Sequence, residues 1–116
     1  MTYRISPVLA ALLLAGCASD PAPLAQLEVS EQALRQAREV GASEELAALR
    51  DAESKLQAAR AAFAAEDYRQ ARMLAEQAEL DARLAEAQTL TARKRAQVEV
   101  LKERIQALRS ELGGPP

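Results

Sequence analysis

The sequence predicts an all-α protein: an antiparallel helical hairpin or three-helix unit whose last helix outruns the others and ends in coiled-coil-like heptads. Three observations predict it. Alanine is the commonest residue, with Leu, Glu, Arg and Gln next, so helix formers are used almost to the exclusion of strand formers. Apolar residues recur at alternating spacings of three and four between recognisable helix start and stop signals. Finally, neither Gly nor Pro interrupts residues 42–112. An alanine-rich helical chain buries little area per residue, so a thin core with closely approaching helices is expected rather than a bulky centre.

The elements follow in order. Residues 1–16 have the layout of a secretory signal: Arg4 supplies a positive start, Val8 to Leu14 a short apolar run, and small residues close it. The apolar stretch is too short to span a bilayer, which takes roughly 20 residues. Leu14, Ala15 and Gly16 lead into Cys17, the only cysteine of the chain, which has no partner for an intramolecular disulfide. That Leu-Ala-Gly-Cys ending resembles the lipobox of bacterial lipoproteins. The resemblance implies cleavage before Cys17, lipidation of its sulfur and acylation of its new amine with a palmitate-type chain. A single acyl chain binds membranes only marginally, whereas the lipoprotein modification supplies three. Ala18 stands where an Asp would resemble an inner-membrane retention signal, so the resemblance implies the outer membrane, periplasmic face.

Residues 17–23 read as the lipidated cysteine followed by an extended tether carrying Pro21 and Pro23. A first helix is expected from Leu24 to Val40, with Leu27, Leu34 and Ala37 on one face and Gly41 at the left-handed position that ends it. Ser43 is the candidate N-cap of a second helix, with Glu44 and Glu45 in its first turn and an end near Ala65. Its apolar stripe is Leu49, Ala52, Leu56, Ala59 and Phe63. Asp67 and Gln70 form a capping box for a third helix that runs from Tyr68 to Leu112, 45 residues or about 68 Å. The helical domain is therefore 24–112, and 113–116 is a tail.

The third helix carries two apolar stripes on opposite sides. Ala71, Leu74, Ala75, Ala78, Ala82 and Ala85 make a small-residue face. Met73, Leu80, Leu84 and Ala87 lie across from it, and Val98, Leu101, Ile105, Leu108 and Leu112 carry that second line on at heptad spacing. The second helix is long enough to cover only the stretch from Tyr68 to about Gln88. Residues 91–112 therefore need another occupant: a second copy, a fold-back or a partner helix. Five large apolar side chains in register are costly to leave in water.

Chemistry is scarce. There is no histidine, no second cysteine and no Gly-rich loop, which removes the usual zinc ligands, the Ser/His and Cys/His nucleophile pairs and the Glu-x-x-His di-iron pattern. No catalytic residue, metal or cofactor is expected. The adjacent carboxylates Glu44/Glu45 and Glu66/Asp67 sit at expected helix starts, where capping explains them. Glu31/Arg35, Asp51/Lys55 and Glu79/Arg83 have the i,i+4 order of exposed helical ion pairs. Residues 18–88 carry 14 Asp and Glu against 8 Lys and Arg, and residues 89–116 carry 6 Lys and Arg against 3 acidic residues. A split this modest, in a chain of pI about 5.3, argues against nucleic-acid binding. Arg93-Lys94-Arg95 is the sharpest basic cluster, able to meet anionic headgroups, but three successive helical charges point in three directions and read as a solvated face. An alanine-rich hairpin also offers too little apolar volume for a sizeable ligand pocket.

Ala64 to Ala78 is the internal motif with the most character. At Tyr68 and Ala71 it looks like a tetratricopeptide turn, but no 34-residue period recurs. Gly41-Ala42, the segment Leu49 to Leu56, and Asp67, Tyr68, Ala71, Ala75 and Ala78 together resemble a family of small bacterial envelope lipoproteins known as domain of unknown function 4398. The resemblance covers about Leu24 to Ala96. Ser43-Glu44-Glu45 departs from the Tyr-Ala-Pro that members often carry. The family implies no activity. The expectation is a non-enzymatic, lipid-anchored helical protein with a structural or protein-interaction role, associating with itself, a partner helix or another envelope protein. The runner-up resembles the murein lipoproteins, envelope spacers that meet peptidoglycan. Those end in a lysine joined to the glycan peptide, whereas Gly113-Gly114-Pro115-Pro116 leaves only non-covalent association. An enzyme or a small-ligand binder comes last.

Overall fold

The computed structural model describes residues 20–115, which form three helices joined by two short loops. The signal segment 1–16, the lipobox residues Leu14, Ala15 and Gly16, Cys17 and the first part of the tether lie outside the described residues. Helix α1 spans Leu24–Glu39, α2 Ala47–Ala64 and α3 Tyr68–Glu111, the last of 44 residues or about 66 Å.

Each helix ends in the same way. Val40 caps α1, Gly41 takes φ +93°, its N–H donates to the Arg38 carbonyl and the Ala42 N–H to the Ala37 carbonyl, both at 2.9 Å. This is a Schellman motif, in which a left-handed residue lets the chain satisfy its last carbonyls before turning away. Gly113 and Gly114 close α3 with the same two bonds, onto Ser110 and Arg109. At the end of α2 the left-handed position is filled by Glu66, at φ 60°, with its N–H on Phe63 and the Asp67 N–H on Ala62. Asp67 then reverses role: its carboxylate accepts from the Gln70 N–H at 3.2 Å and caps α3, as its spacing predicts. The box is not completed, because the Asp67 N–H that the Gln70 side chain would meet is already bonded to Ala62.

The start of α2 departs from the sequence expectation. Ser43 makes no cap, and Glu44 and Glu45 are not in a helical turn; the cap position is Leu46, with extended ψ of 120° and no side-chain capping bond. Two contacts favour this later start. The Leu46 side chain is half-buried against the core, and Arg50 Nη1 reaches back to the carbonyls of Glu44 (2.6 Å) and Glu45 (3.0 Å). Burial of a leucine and satisfaction of two carbonyls replace the single hydroxyl cap that the composition suggests.

The helices run up, down and up. Arg60 of α2 meets Glu31 of α1 at 2.7 Å, Arg38 of α1 meets Glu53 of α2, and Lys55 of α2 meets Asp81 of α3 at 2.6 Å. Two of the expected i,i+4 pairs are thereby replaced by inter-helix pairs, since Glu31 and Lys55 reach across rather than along their own helices; Glu79–Arg83 forms as expected, at 2.7 Å. Every fully buried residue of α3 is alanine: Ala71, Ala75, Ala78, Ala82 and Ala85. Leu27 and Leu34 of α1 and Leu49 and Leu56 of α2 join these alanines in the core. Large side chains on two helices thus pack against a small-residue face on the third, which permits close helix approach.

Candidate functional site

Helix α3 leaves the other two helices at Arg93. Its guanidinium donates to the Val40 carbonyl at the end of α1, and a Cβ on Gly41 would lie 2.8 Å from the same Nη2. Gly41 provides the left-handed turn, and the flexible end of this arginine lies over the space a side chain there would take. From Leu90 onward every described residue of α3 is exposed. The stretch Thr91–Glu111 is a free helical rod about 30 Å long.

The stripe predicted on its outer side is present and uncovered. Val98, Leu101, Ile105, Leu108 and Leu112 are 47–85% exposed. Met73, Leu80 and Leu84, which face away from the alanine core, are 43–66% exposed. These eight side chains hold one heptad register, with Gln77, Ala87, Thr91 and Lys94 at the intervening positions. On a straight helix of 3.6 residues per turn that register drifts by about 20° per heptad, a slow turn that left-handed supercoiling about a partner takes up. The stripe therefore begins on the outer face of the three-helix unit and continues without a break in register onto the rod. Arg95, Lys102 and Arg109 line one flank and Arg104 the other. Of the free end's acidic residues, Glu99 and Glu103 sit on the side of the helix away from the stripe, and Glu99 holds Lys102 at 2.9 Å. Arg93, Lys94 and Arg95 diverge, as expected of successive helical positions: Arg93 turns to α1 and Lys94 stands in the stripe.

Two polar contacts between α1 and α3, those of Ser30 and of Gln26 with Glu79, were not marked out by the sequence. Ser30 is 1% exposed, and its hydroxyl lies 2.7 Å from the carbonyls of both Gln26 on its own helix and Ala75 on α3. One proton serves one acceptor at a time, and either arrangement leaves the buried hydroxyl satisfied. The available signal is its place, three residues after Leu27 in the apolar line of α1. Glu79 accepts from Gln26 Nε2 at 2.8 Å and from Arg83, and these two hydrogen bonds hold its carboxyl below its ordinary pKa. It ties α1 to α3 and is engaged by its neighbours rather than free for chemistry. At the other end of the unit, Arg72 Nη2 donates to the Pro21 carbonyl at 3.1 Å, fixing the tether beside the start of α3.

Among the described residues no group of three or more Cys, Asp or Glu side chains gathers as a metal site, and no helix is long and apolar enough to cross a membrane. The concavities along the free end, such as the one lined by Leu90, Thr91, Val98 and Lys102, are shallow grooves in the surface of a single helix. What this arrangement offers chemically is a linear apolar surface edged with cations.

A search of curated proteins finds no match. Among solved structures, the chain is similar to the crystal structure of a DUF4398 family protein from Pseudomonas aeruginosa PAO1, at 50% identity and a TM-score of 0.78, over 80% of this chain and 97% of that one. The family model described as a domain of unknown function (DUF4398) matches residues 25–101, from the first helix to the middle of the exposed stripe. The chain belongs to the DUF4398 family.

Proposed function

We propose that this protein is a non-enzymatic helical interaction module, held by a lipid anchor on the periplasmic face of the outer membrane. The exposed heptad stripe of α3 carries the interaction half of this reading. It is built at coiled-coil spacing, lies opposite the core and is left open by α1 and α2. Its partner is a helix, either of a second copy or of another envelope protein. The anchoring half is supported by the signal-like residues 1–16, by Leu14-Ala15-Gly16-Cys17 and by the Pro-containing tether. The molecule would stand on its lipid by the end at which Arg72 holds Pro21 and present the free rod away from it.

Replacement of Cys17 by serine tests the anchor. Wild type should incorporate radiolabelled palmitate and sediment with outer membranes, while Cys17→Ser takes up no label and stays as precursor or becomes soluble. Equal labelling of the two would contradict the proposal.

A further inference from the structure

We infer that the occupant of the α3 stripe is a second copy of this chain, paired parallel and in register from Met73 to Leu112. The inference deepens the interaction reading above by naming the partner. In heptad order the a positions are Gln77, Leu84, Thr91, Val98, Ile105 and Leu112, and the d positions are Met73, Leu80, Ala87, Lys94, Leu101 and Leu108. β-Branched residues at a with leucine at d is the pattern that favours parallel two-stranded coils, and Val98, Leu101, Ile105 and Leu108 follow it through the free rod.

Alignment of the polar positions points the same way. In a parallel, in-register pair Gln77, Thr91 and Lys94 each face their own copy, and every apolar layer faces an apolar layer. Antiparallel pairing of the free ends sets Lys94 against Leu112; antiparallel pairing along the whole stripe sets Gln77 against Leu108. Charge discriminates further. Antiparallel free ends bring the whole row Arg95, Lys102 and Arg109 against itself, whereas the parallel pair opposes like charges on the free rod at two places, the Lys94 layer and Arg104 with Arg109 of the second copy. The outer stripe of the three-helix unit continues in register into that of the rod, so the interface spans both. The tether leaves beside the start of α3, bound through Pro21 to Arg72, so a parallel pair places both tethers at one end, as two anchors in one membrane require.

Disulfide trapping in cells tests the geometry with the full-length protein. Ile105→Cys and Leu84→Cys, expressed singly and oxidised in intact cells, should each give a covalent dimer with itself, while wild type gives none because the Cys17 sulfur carries lipid. Wild-type dimers would count against the anchor alone, and the two substitutions would then be scored in a Cys17→Ser background. Preferential trapping of co-expressed Leu84→Cys with Leu101→Cys, without self-trapping at 105, would overturn the parallel register. Absence of trapping at both positions in helical, normally expressed protein would overturn the second copy as occupant. Lys94→Leu should raise the trapped fraction severalfold at subsaturating oxidant by removing a like-charge layer; a fall would point to an acidic partner helix and overturn the inference.

Discussion

Individual side chains divide this molecule into a face that must be small and a face that must be apolar. Ala75, Ala82 and Ala85 are 0% exposed and Ala78 1%, so a larger side chain at these positions has nowhere to go without moving α1 or α2. Ala78→Leu is expected to cost at least about 1–3 kcal/mol from overpacking. A urea titration would show this as a lower midpoint, and an unchanged midpoint would mean that the helices do not approach as described. Leu80→Ala, two residues along on the outer face, should leave the stability of the isolated monomer nearly unchanged, since that side chain is 66% exposed. Among the described residues Ser30 is the one polar exception in the core, tolerated because its hydroxyl finds an acceptor in either of the two carbonyls within its reach.

Helix ends explain where the sequence was readable and where it was not. Gly41 and Asp67 each act through one local rule, the left-handed stop and the side-chain cap, and both stand where that rule places them. Ser43-Glu44-Glu45 satisfies a local rule too, yet α2 starts at Ala47, because half-burial of Leu46 and the reach of Arg50 are tertiary terms that spacing does not reveal. Glu66 was invisible for the converse reason: a non-glycine in the left-handed region carries no compositional mark, and its conformation is imposed by the tight reversal into α3. The two caps make a paired prediction. Asp67→Ala should destabilise by about 1 kcal/mol, within the usual capping range, whereas Ser43→Ala should change stability by no more than a few tenths. Equal losses in thermal melts of the two variants would restore Ser43 as a cap.

For the whole molecule, periodicity was the informative signal. The all-α class, the length of α3 and the two opposed stripes all follow from spacing, because a helix converts sequence interval directly into direction. The inter-helix ion pairs of Glu31 and Lys55 did not follow, since each of these residues also has an opposite charge at i+4 or i−4 and only the packing decides between them. The contact of Arg93 with Val40, which marks the departure of the rod, likewise depends on where α1 ends relative to α3. The resulting shape is a three-helix unit prolonged by a single helix whose outer apolar line has no cover among the described residues. Burial of one such side chain is worth about 1.5–3 kcal/mol, and the rod is already helical, so little ordering entropy opposes pairing.

Sedimentation equilibrium on residues 19–116 tests this account most directly. Across the micromolar range the protein should move from monomer toward dimer mass, and Leu101→Asn combined with Ile105→Asn should hold it at monomer mass with its helicity retained. A wild-type protein that remains monomeric and fully helical at high micromolar concentration would contradict self-association through the α3 stripe.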